Sequence, residues 1–394
     1  TGDAQIVVNS LLYTFDMKRF LRKMFDDMED ARNKNTGYVP HTTPFGGGGG
    51  GPAWGSAYVV MPWAYYQHYD GMKQWVEYLG TRTDDRGLVV REEPNGWCLG
   101  EWCTLYNRVE IPTELVNTAY YYHVTSLVAK VAKVLNKKDE KELNDLAETI
   151  HRNFNAAFYN PQTNHYWEGR QGSDVIALAF GLVPDQNKKK VFAALLNHLK
   201  STDYHFDTGI IATPLTLKVL TDNGRADIAY KLMDQRDFPG YGYLMDDKNS
   251  TLWEIWDGGG DDPNGSGHCH PMFGSVVAWF YNSLSGIKPD ESNPGMKHFY
   301  IEPKLVPELT FCKTSYNTLY GIIRSGWKID KKGNINLNID IPTNTTATVI
   351  FPDGLASITE SGKPIAEMRG VVVEGDNPVR IKVLSGSYDF VMKK

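Results

Sequence analysis

The segment TELVNTAYYYHVTSLVAKVAKVLNKKDEKELNDLAETIHRNFNAAF, residues 113–158, predicts two helices, at 113–135 and 140–158. Apolar residues recur at helical spacing in both, and Thr113 with Glu114 after Pro112 forms a helix start signal. Similar stretches, separated by long loops rich in Gly, Pro and Trp, run through residues 4–284. We predict the other helices at 5–31, 55–69, 72–79, 173–182, 185–200, 208–221, 225–235 and 271–284. The first part of the chain is therefore mainly helical.

The residue pattern changes after Gly286. The segments NINLNIDI at 334–341 and VRIKV at 379–383 alternate apolar and polar residues, which places the apolar groups on one face of a sheet. Helices followed by strands indicate two segregated domains, so an alternating α/β dinucleotide fold is disfavoured. No Lys-Ser/Thr follows the glycine run at 46–51, which we interpret as a loop that brings backbone close to a ligand or simply packs as a loop. We predict a helical domain at 1–287 and a β-domain at 288–394.

Composition excludes several classes of partner. The 394-residue chain has a net charge of -6, so on average it repels the phosphates of nucleic acid. Its hydrophobic fraction of 41% is that of a soluble globular protein, and no apolar run is long enough for insertion into a membrane. The four cysteines form no CxxC pair, so free thiols are the default interpretation. A neutral small molecule or glycan is the favoured ligand.

Three loops combine tryptophan with carboxylates: PAWG at 52–55, GWCLGEW at 96–102 and TLWEIWD at 251–257. Aromatic rings stack on the apolar faces of sugar rings, and carboxylates accept hydrogen bonds from hydroxyls and carry out the proton transfers of glycosidic cleavage. The alternative for each Trp is core packing, because Trp is largely buried in most proteins. The three loops together favour a sugar site.

Glu254 is the sharpest catalytic candidate because Trp253 and the following Ile255-Trp256 can lower the local dielectric and tune its basicity. The alternative is a salt-bridged loop residue. For Asp257 we favour a cap on the glycine turn at 258–260. The sequence GHCHP at 267–271 resembles a metal cluster, but it lacks a second ligand set, so we predict no metal and no cofactor. A neutral His that donates to a sugar hydroxyl is simpler, and a His satisfied by backbone remains open.

Over almost its whole length the chain resembles glycoside hydrolase family 78, the bacterial α-L-rhamnosidases. The matching segments are TGDAQ at 1–5, PAWG at 52–55, GEW at 100–102 with PT at 112–113, TLWEIWD at 251–257 and HPMFG at 270–274. The resemblance implies an (α/α)6 toroid followed by a C-terminal β-sandwich, and an inverting hydrolase that removes terminal α-L-rhamnosyl residues from a rhamnose-containing glycan or glycoside.

The resemblance also implies roles for individual residues. Glu254 falls where the family places the general base that activates water. The positions expected to bind substrate are Asp3, Trp54, Glu101, Trp102, Trp256 and His270. The family's general acid is a Glu that precedes the position of Thr1, so we expect it outside this chain. Two residues depart from the pattern, since Ser56 and Glu101 each stand where the family usually has Asp.

Two other functions remain open. A different glycosidase on the same scaffold could take a uronyl or fucosyl substrate, although the Trp loops contain no Arg for an acidic sugar. A sugar-binding protein without turnover is the other alternative, because the acid is expected elsewhere. A secreted or periplasmic location suits glycan degradation, whereas free thiols also suit the cytoplasm. The sequence does not indicate an oligomeric state.

Overall fold

A computed structural model describes residues 1–61, 69–91, 97–105, 111–245, 251–257, 267–293, 295–368, 372–376 and 378–393. The chain divides into two compact units. The first unit comprises Thr1–Leu12, Asp16–Val219 and Lys231–Ser275. The second comprises Tyr13–Phe15, Leu220–Tyr230 and Val276–Lys394.

The helices follow one another with little strand between them, as the apolar spacing predicts. In order they are α1 (Gly2–Thr14), α2 (Lys18–Ala31), α3 (Pro52–Gly55), α4 (Ala57–Val60), α5 (Tyr69–Gly80), α6 (Thr113–Val134), α7 (Glu140–Phe158), α8 (Gln171–Ala179), α9 (Asp185–Ser201), α10 (Ala212–Asp222), α11 (Ala226–Met233), α12 (Tyr241–Leu244) and α13 (Val276–Trp279). A 3-10 turn, Met272–Ser275, precedes α13 and a π-helical turn, Phe280–Leu284, follows it. Among the described residues, no helix is long and apolar enough to cross a membrane.

The predicted helix at 5–31 is wrong in one respect, because the structure divides it into α1 and α2. The chain leaves the helical conformation at Phe15, and the Asp16 carboxylate accepts a hydrogen bond from the backbone N–H of Lys18 at 3.4 Å where α2 begins. The predicted helix at 271–284 is divided among three helical types. Of the predicted helix at 55–69, residues 62–68 lie outside the described residues.

The core of the helical unit forms around α5, α6 and α7. Helix α6 is buried on nearly every side, whereas α7 buries one stripe of apolar residues at helical spacing: Leu143, Ala147, Ile150, Phe154 and Phe158. Trp75 on α5 is completely buried in this core, with Met28 of α2 in the same cluster. The packed helices hold the loops that connect them in fixed positions.

The second unit contains two sheets. Their strands are β3 (Ile287–Pro289), β4 (His298–Ile301), β5 (Phe311–Thr318), β6 (Gly321–Ile329), β7 (Ile335–Ile341), β8 (Thr346–Ile350), β9 (Ser357–Glu360), β10 (Lys363–Pro364), β11 (Val372–Asp376), β12 (Val379–Val383) and β13 (Gly386–Lys393); a small hairpin in the first unit supplies β1 (Tyr159–Asn160) and β2 (His165–Tyr166). One sheet has the order β10-β9-β13-β7-β6-β5 and the other β11-β12-β8-β4-β3. Alternate residues of both sheets, including Phe299, Trp327 and Phe390, enter one shared core.

Several residues that precede the strands belong to this second unit. Trp327 donates a hydrogen bond from Nε1 to the carbonyl oxygen of Leu284 at 2.7 Å. The hydroxyl of Tyr13 donates to the carbonyl oxygen of Ile287 at 3.0 Å, and its ring stacks on that of Tyr281 at 4.7 Å. These contacts explain why residues 276–287 are compact with the strands, whereas we predicted the boundary after residue 287.

Candidate active site

Glu254 lies on a loop segment, residues 251–257, that runs antiparallel to residues 267–270. The backbone N–H of Glu254 donates to the carbonyl oxygen of Gly267 at 2.9 Å, and the N–H of His270 donates to that of Leu252 at 3.0 Å. The Oε2 atom of Glu254 accepts a hydrogen bond from the N–H of Gly267 at 2.8 Å. Backbone therefore fixes one carboxylate oxygen, while the side chain stays partly exposed.

At this site Asp3, near the start of the first unit's sequence, approaches His270, near its end. The Nε2 atom of His270 lies 3.7 Å from Oδ1 of Asp3, and both side chains retain exposed surface. The Nδ1 atom of His270 is 3.3 Å from the backbone N–H of Met272, which donates to it. A neutral ring that accepts at Nδ1 carries its proton on Nε2, so the imidazole presents an N–H toward Asp3 and the site.

Cys103 approaches Glu254 from a third loop, residues 97–105. Cys103 is buried in a left-handed conformation with φ of 58°, and its Sγ donates a weak hydrogen bond to Oε1 of Glu254 at 3.9 Å. Burial raises the pKa of the Cys103 thiol, and the nearby carboxylates of Glu254 and Asp3 raise it further. Trp102 is partly exposed. The structure therefore brings Asp3, Glu254 and His270 together near Cys103, which directly follows Trp102 in the sequence.

Glu101, which the resemblance predicts to bind substrate, is a buried residue in the structure. It is fully buried, and its Oε1 accepts hydrogen bonds from the backbone N–H groups of Gly209 at 2.7 Å and Ala212 at 3.0 Å. Burial raises the pKa of Glu101 to about 8, although these donors favour the ionised form. With no exposed surface, Glu101 joins the loop at 97–105 to the start of α10, and its contact with a sugar stays a prediction.

Trp256 also lacks a face that is free for a sugar. Its side chain is 1% exposed, its ring stacks on Phe206 at 5.1 Å and meets Phe273 at 4.1 Å, and its Nε1 donates to the carbonyl oxygen of Thr208 at 3.0 Å. Trp256 is therefore packed as a core residue, and its predicted contact with substrate stays a prediction. It anchors the segment that carries Glu254.

Trp54 is 4% exposed, and its predicted contact with substrate likewise stays a prediction. A Cβ at Gly2 would lie 2.4 Å from its ring, which shows that the backbone beside Asp3 packs directly on the indole. Ser56, where the family usually has Asp, is fully buried and accepts a hydrogen bond from Nε1 of Trp75 at 3.3 Å. The segment at residues 52–56 therefore packs directly against the backbone next to Asp3.

The glycine run lies against a tryptophan that is exposed to solvent. The ring of Trp97 is 55% exposed, and a Cβ at Gly49 would lie 2.3 Å from it. Gly50 accepts a hydrogen bond at its carbonyl oxygen from the N–H of Leu99 at 3.2 Å. The backbone of the glycine run therefore lies close to Trp97. Trp97 was not among the predicted substrate-binding residues, although its loop was predicted to belong to the site.

Within the described residues, no group of three or more His, Cys, Asp or Glu side chains could hold a metal ion. The ring of His268 stacks on Trp253 at 5.1 Å. The glycine turn that Asp257 was predicted to cap, residues 258–260, lies outside the described residues.

Sequence reasoning missed Cys103 and Asn117. Asn117 on α6 is fully buried, and neither of its amide atoms has a hydrogen-bond partner among the described residues. A Cβ at Gly51 would lie 3.3 Å from its Oδ1 atom. The polar residue within the apolar face LVNTAY of α6 was the available signal for Asn117, whereas no signal linked Cys103 to Glu254.

Comparisons with known proteins identify both units. Residues 1–284 match the bacterial alpha-L-rhamnosidase 6 hairpin glycosidase domain, and residues 286–365 match the bacterial alpha-L-rhamnosidase C-terminal domain. These matches confirm the predicted fold class, an (α/α)6 toroid followed by a C-terminal β-domain.

Individual relatives agree with these matches. An alpha-L-rhamnosidase of Streptomyces avermitilis is 31% identical over 409 residues, covering 100% of this chain and 38% of the relative. The structure of an alpha-L-rhamnosidase from Dictyoglumus thermophilum superposes with a TM-score of 0.87 at 32% identity, covering 100% of this chain and 45% of that one. The Streptomyces avermitilis enzyme complexed with L-rhamnose also gives 0.87, at 30% identity and with coverages of 100% and 38%. The chain spans less than half the length of these relatives.

Proposed function

Because the chain belongs to the bacterial α-L-rhamnosidase family of six-hairpin glycosidases, we propose that the protein removes terminal α-L-rhamnosyl residues from glycans or glycosides with inversion of configuration. The observation that carries the proposal is the meeting of Asp3, Glu254 and His270 at one exposed site, beside the loop that carries Trp102. Two carboxylates, an imidazole N–H and an indole form the set of groups that a sugar with several hydroxyls and an apolar face requires.

Glu254 is proposed as the general base. A water molecule attacks the anomeric carbon, its proton passes to the Glu254 carboxylate, and the bond to the leaving oxygen breaks as an acid protonates that oxygen. The N–H of Gly267 holds Oε2 of Glu254 at 2.8 Å, so the carboxylate keeps its orientation before water binds. In inverting enzymes the acid and base carboxyls stand roughly 6.5–9.5 Å apart, which leaves room for the attacking water.

Asp3, His270 and Trp102 are proposed to bind the rhamnosyl ring. The Asp3 carboxylate accepts hydrogen bonds from sugar hydroxyls, and the Nε2–H of His270 donates to one. Trp102 supplies an apolar surface for the methyl group of a deoxy sugar. A rhamnose complex of the Streptomyces avermitilis relative supports this choice of sugar. A secreted or periplasmic location suits a substrate of this kind.

The decisive test is hydrolysis of p-nitrophenyl α-L-rhamnopyranoside by the native protein, with the anomeric configuration of the product followed by NMR. We expect β-L-rhamnose as the first product and a loss of at least 100-fold in kcat for Glu254→Gln. Asp257→Asn is the matched control, because it removes a carboxylate from the same loop. Cleavage of other aryl glycosides but not the rhamnoside would contradict the proposed sugar, and an initial α-anomer would contradict inversion.

A further inference from the structure

The outer face of the sheet formed by β11, β12, β8, β4 and β3 contains a cleft of about 450 Å³ that the proposed hydrolysis does not use. Alternation along the strands forms it. Ile381, Val349 and Phe299 point into the core of the second unit, so their strand neighbours point outward. The outward residues that line the cleft are Arg380 and Lys382 on β12, Thr346 and Thr348 on β8, and His298 and Tyr300 on β4.

Strand register makes these side chains adjacent. Lys382 lies opposite Thr348 on the neighbouring strand, and Thr348 lies opposite Tyr300 on the next. Residues that face each other across strands have Cβ atoms about 4.5–5.5 Å apart, so one row joins an ammonium group, a hydroxyl and a phenol. The Nδ1 atom of His298 lies 2.7 Å from Oγ1 of Thr346, which holds the ring on the floor of the cleft.

The cleft is basic although the chain is acidic overall. Lys297, Arg380 and Lys382 line it with exposed side chains, while Asp290 is its one carboxylate among the described residues. Hydrogen bonds from Ser292 and Asn293 already occupy both Asp290 oxygens, at distances of 2.7–2.9 Å. In the described part of the chain, none of the three cations has a carboxylate within ion-pair distance. The chain as a whole carries a net charge of -6, so this local excess of positive charge is confined.

We propose that this cleft binds the anionic group, a carboxylate or a sulfate ester, of an acidic glycan. Arg and Lys bind such oxyanions through charge-assisted hydrogen bonds. The hydroxyls of Thr346 and Thr348 and the phenol of Tyr300 offer partners to sugar hydroxyls, and a cleft of this volume accommodates a small-molecule unit. Binding of a nucleic acid would favour an extended basic stripe, and binding of a membrane surface would favour apolar side chains at the rim of the cleft.

Affinity electrophoresis of the whole chain through gels containing polygalacturonate or dextran sulfate tests the proposal, with neutral dextran as the reference gel. We expect at least one of the acidic polymers to retard the chain and neutral dextran to leave it unretarded. In the double variant Arg380→Gln/Lys382→Gln the dissociation constant for the retarding polymer should rise at least tenfold. The matched control is Lys331→Gln/Lys332→Gln, which removes the same charge from an exposed turn of the same unit.

Three outcomes would overturn the proposal. Equal weakening in the two double variants means non-specific charge attraction. If inorganic sulfate displaces the polymer at the same concentration as glycan-borne sulfate, the cleft binds the free anion alone. If neither acidic polymer retards the chain, acidic glycans are not the ligands of this cleft. All the substituted residues are exposed, so circular dichroism should show folded variants, and this binding is measured independently of rhamnoside hydrolysis.

Discussion

The Sγ atom of Cys103 lies 3.9 Å from Oε1 of Glu254, although the two residues are 151 positions apart in the sequence. Because Gly267 holds the other carboxylate oxygen, the thiol and the backbone together restrain Glu254 from two sides. A thiol is a weak donor, so its contribution is one of orientation. Cys103 therefore acts on the proposed base as a positioning residue.

Replacing Cys103 with Ala should lower kcat by about 3–10-fold, the size expected for loss of one modest hydrogen bond, and leave KM nearly unchanged. Cys103→Ser keeps a donor and should retain most of the activity. Both variants avoid a branched Cβ at the positive φ of this residue. Steady-state kinetics on an aryl rhamnoside checks the prediction, with Cys312→Ala as the control. Equal activity of the Ala variant and the wild type would mean that the contact does not orient Glu254.

The sequence predicted best those elements whose local pattern agrees with their packing. Helix α7 spans Glu140–Phe158 as expected, because its apolar stripe and polar remainder leave one orientation on the core. The strands after Gly286 follow from alternation for the same reason. The division of 5–31 into two helices was missed because apolar residues at helix-compatible spacing continue across the interruption at Phe15.

The candidate site was harder to predict than the fold. A Trp or Glu in a Gly-rich loop has the same sequence signature whether it faces a ligand or the core. Trp256 is buried because Phe206 and Phe273 meet it from distant parts of the chain, and Glu101 because α10 begins beside it. Local sequence contains no information about these partners, so the motifs indicate the candidate loops but not the direction of each side chain.

The buried Glu101 carboxyl predicts a pH dependence of stability. Its pKa is raised to about 8 in the folded protein from an ordinary value of 4.5, so the folded state binds more protons between these limits. The stabilising contribution of the protonated carboxyl is full below the unfolded pKa and is lost as the pH rises through the folded pKa, a change on the order of 5 kcal/mol in the free energy of unfolding.

Urea denaturation at pH 5, 7 and 9 of the wild type and Glu101→Gln measures this effect, with the variant providing a neutral side chain of the same size. The wild type should lose more stability than the variant between pH 5 and 9. Parallel losses would show that Glu101 keeps an ordinary pKa because its N–H donors offset burial. Glu308→Gln, an exposed residue, serves as the control for a general charge effect.

We expect Trp256 to act mainly by stabilising the folded protein, and only to a smaller extent through contact with substrate. Trp256→Ala removes a fully buried ring and its hydrogen bond to Thr208, so the free energy of unfolding should fall by about 3–5 kcal/mol. Trp256→Phe should cost less because it keeps part of the aromatic packing. Trp97→Ala is the matched control, since that ring is 55% exposed and its loss should change stability by about 0.5 kcal/mol or less. Similar costs for the two Ala variants, measured by chemical denaturation, would contradict the assignment of Trp256 to the core.

Gly209 predicts a steric limit at the base of the site. A Cβ at this position would lie 2.1 Å from the carbonyl oxygen of Trp102 and 2.9 Å from the backbone N of Thr104, and neither backbone atom can move without shifting the loop that carries Cys103. Gly209→Ala should therefore destabilise the protein by about 1–3 kcal/mol and also lower rhamnosidase activity. Gly48→Ala is the control, because its Cβ would meet nothing within 4 Å. Thermal unfolding and kinetics of both variants check the prediction. A Gly209→Ala variant with wild-type stability and activity would show that the loop at 97–105 moves freely and that its contact with Gly209 does not position the site.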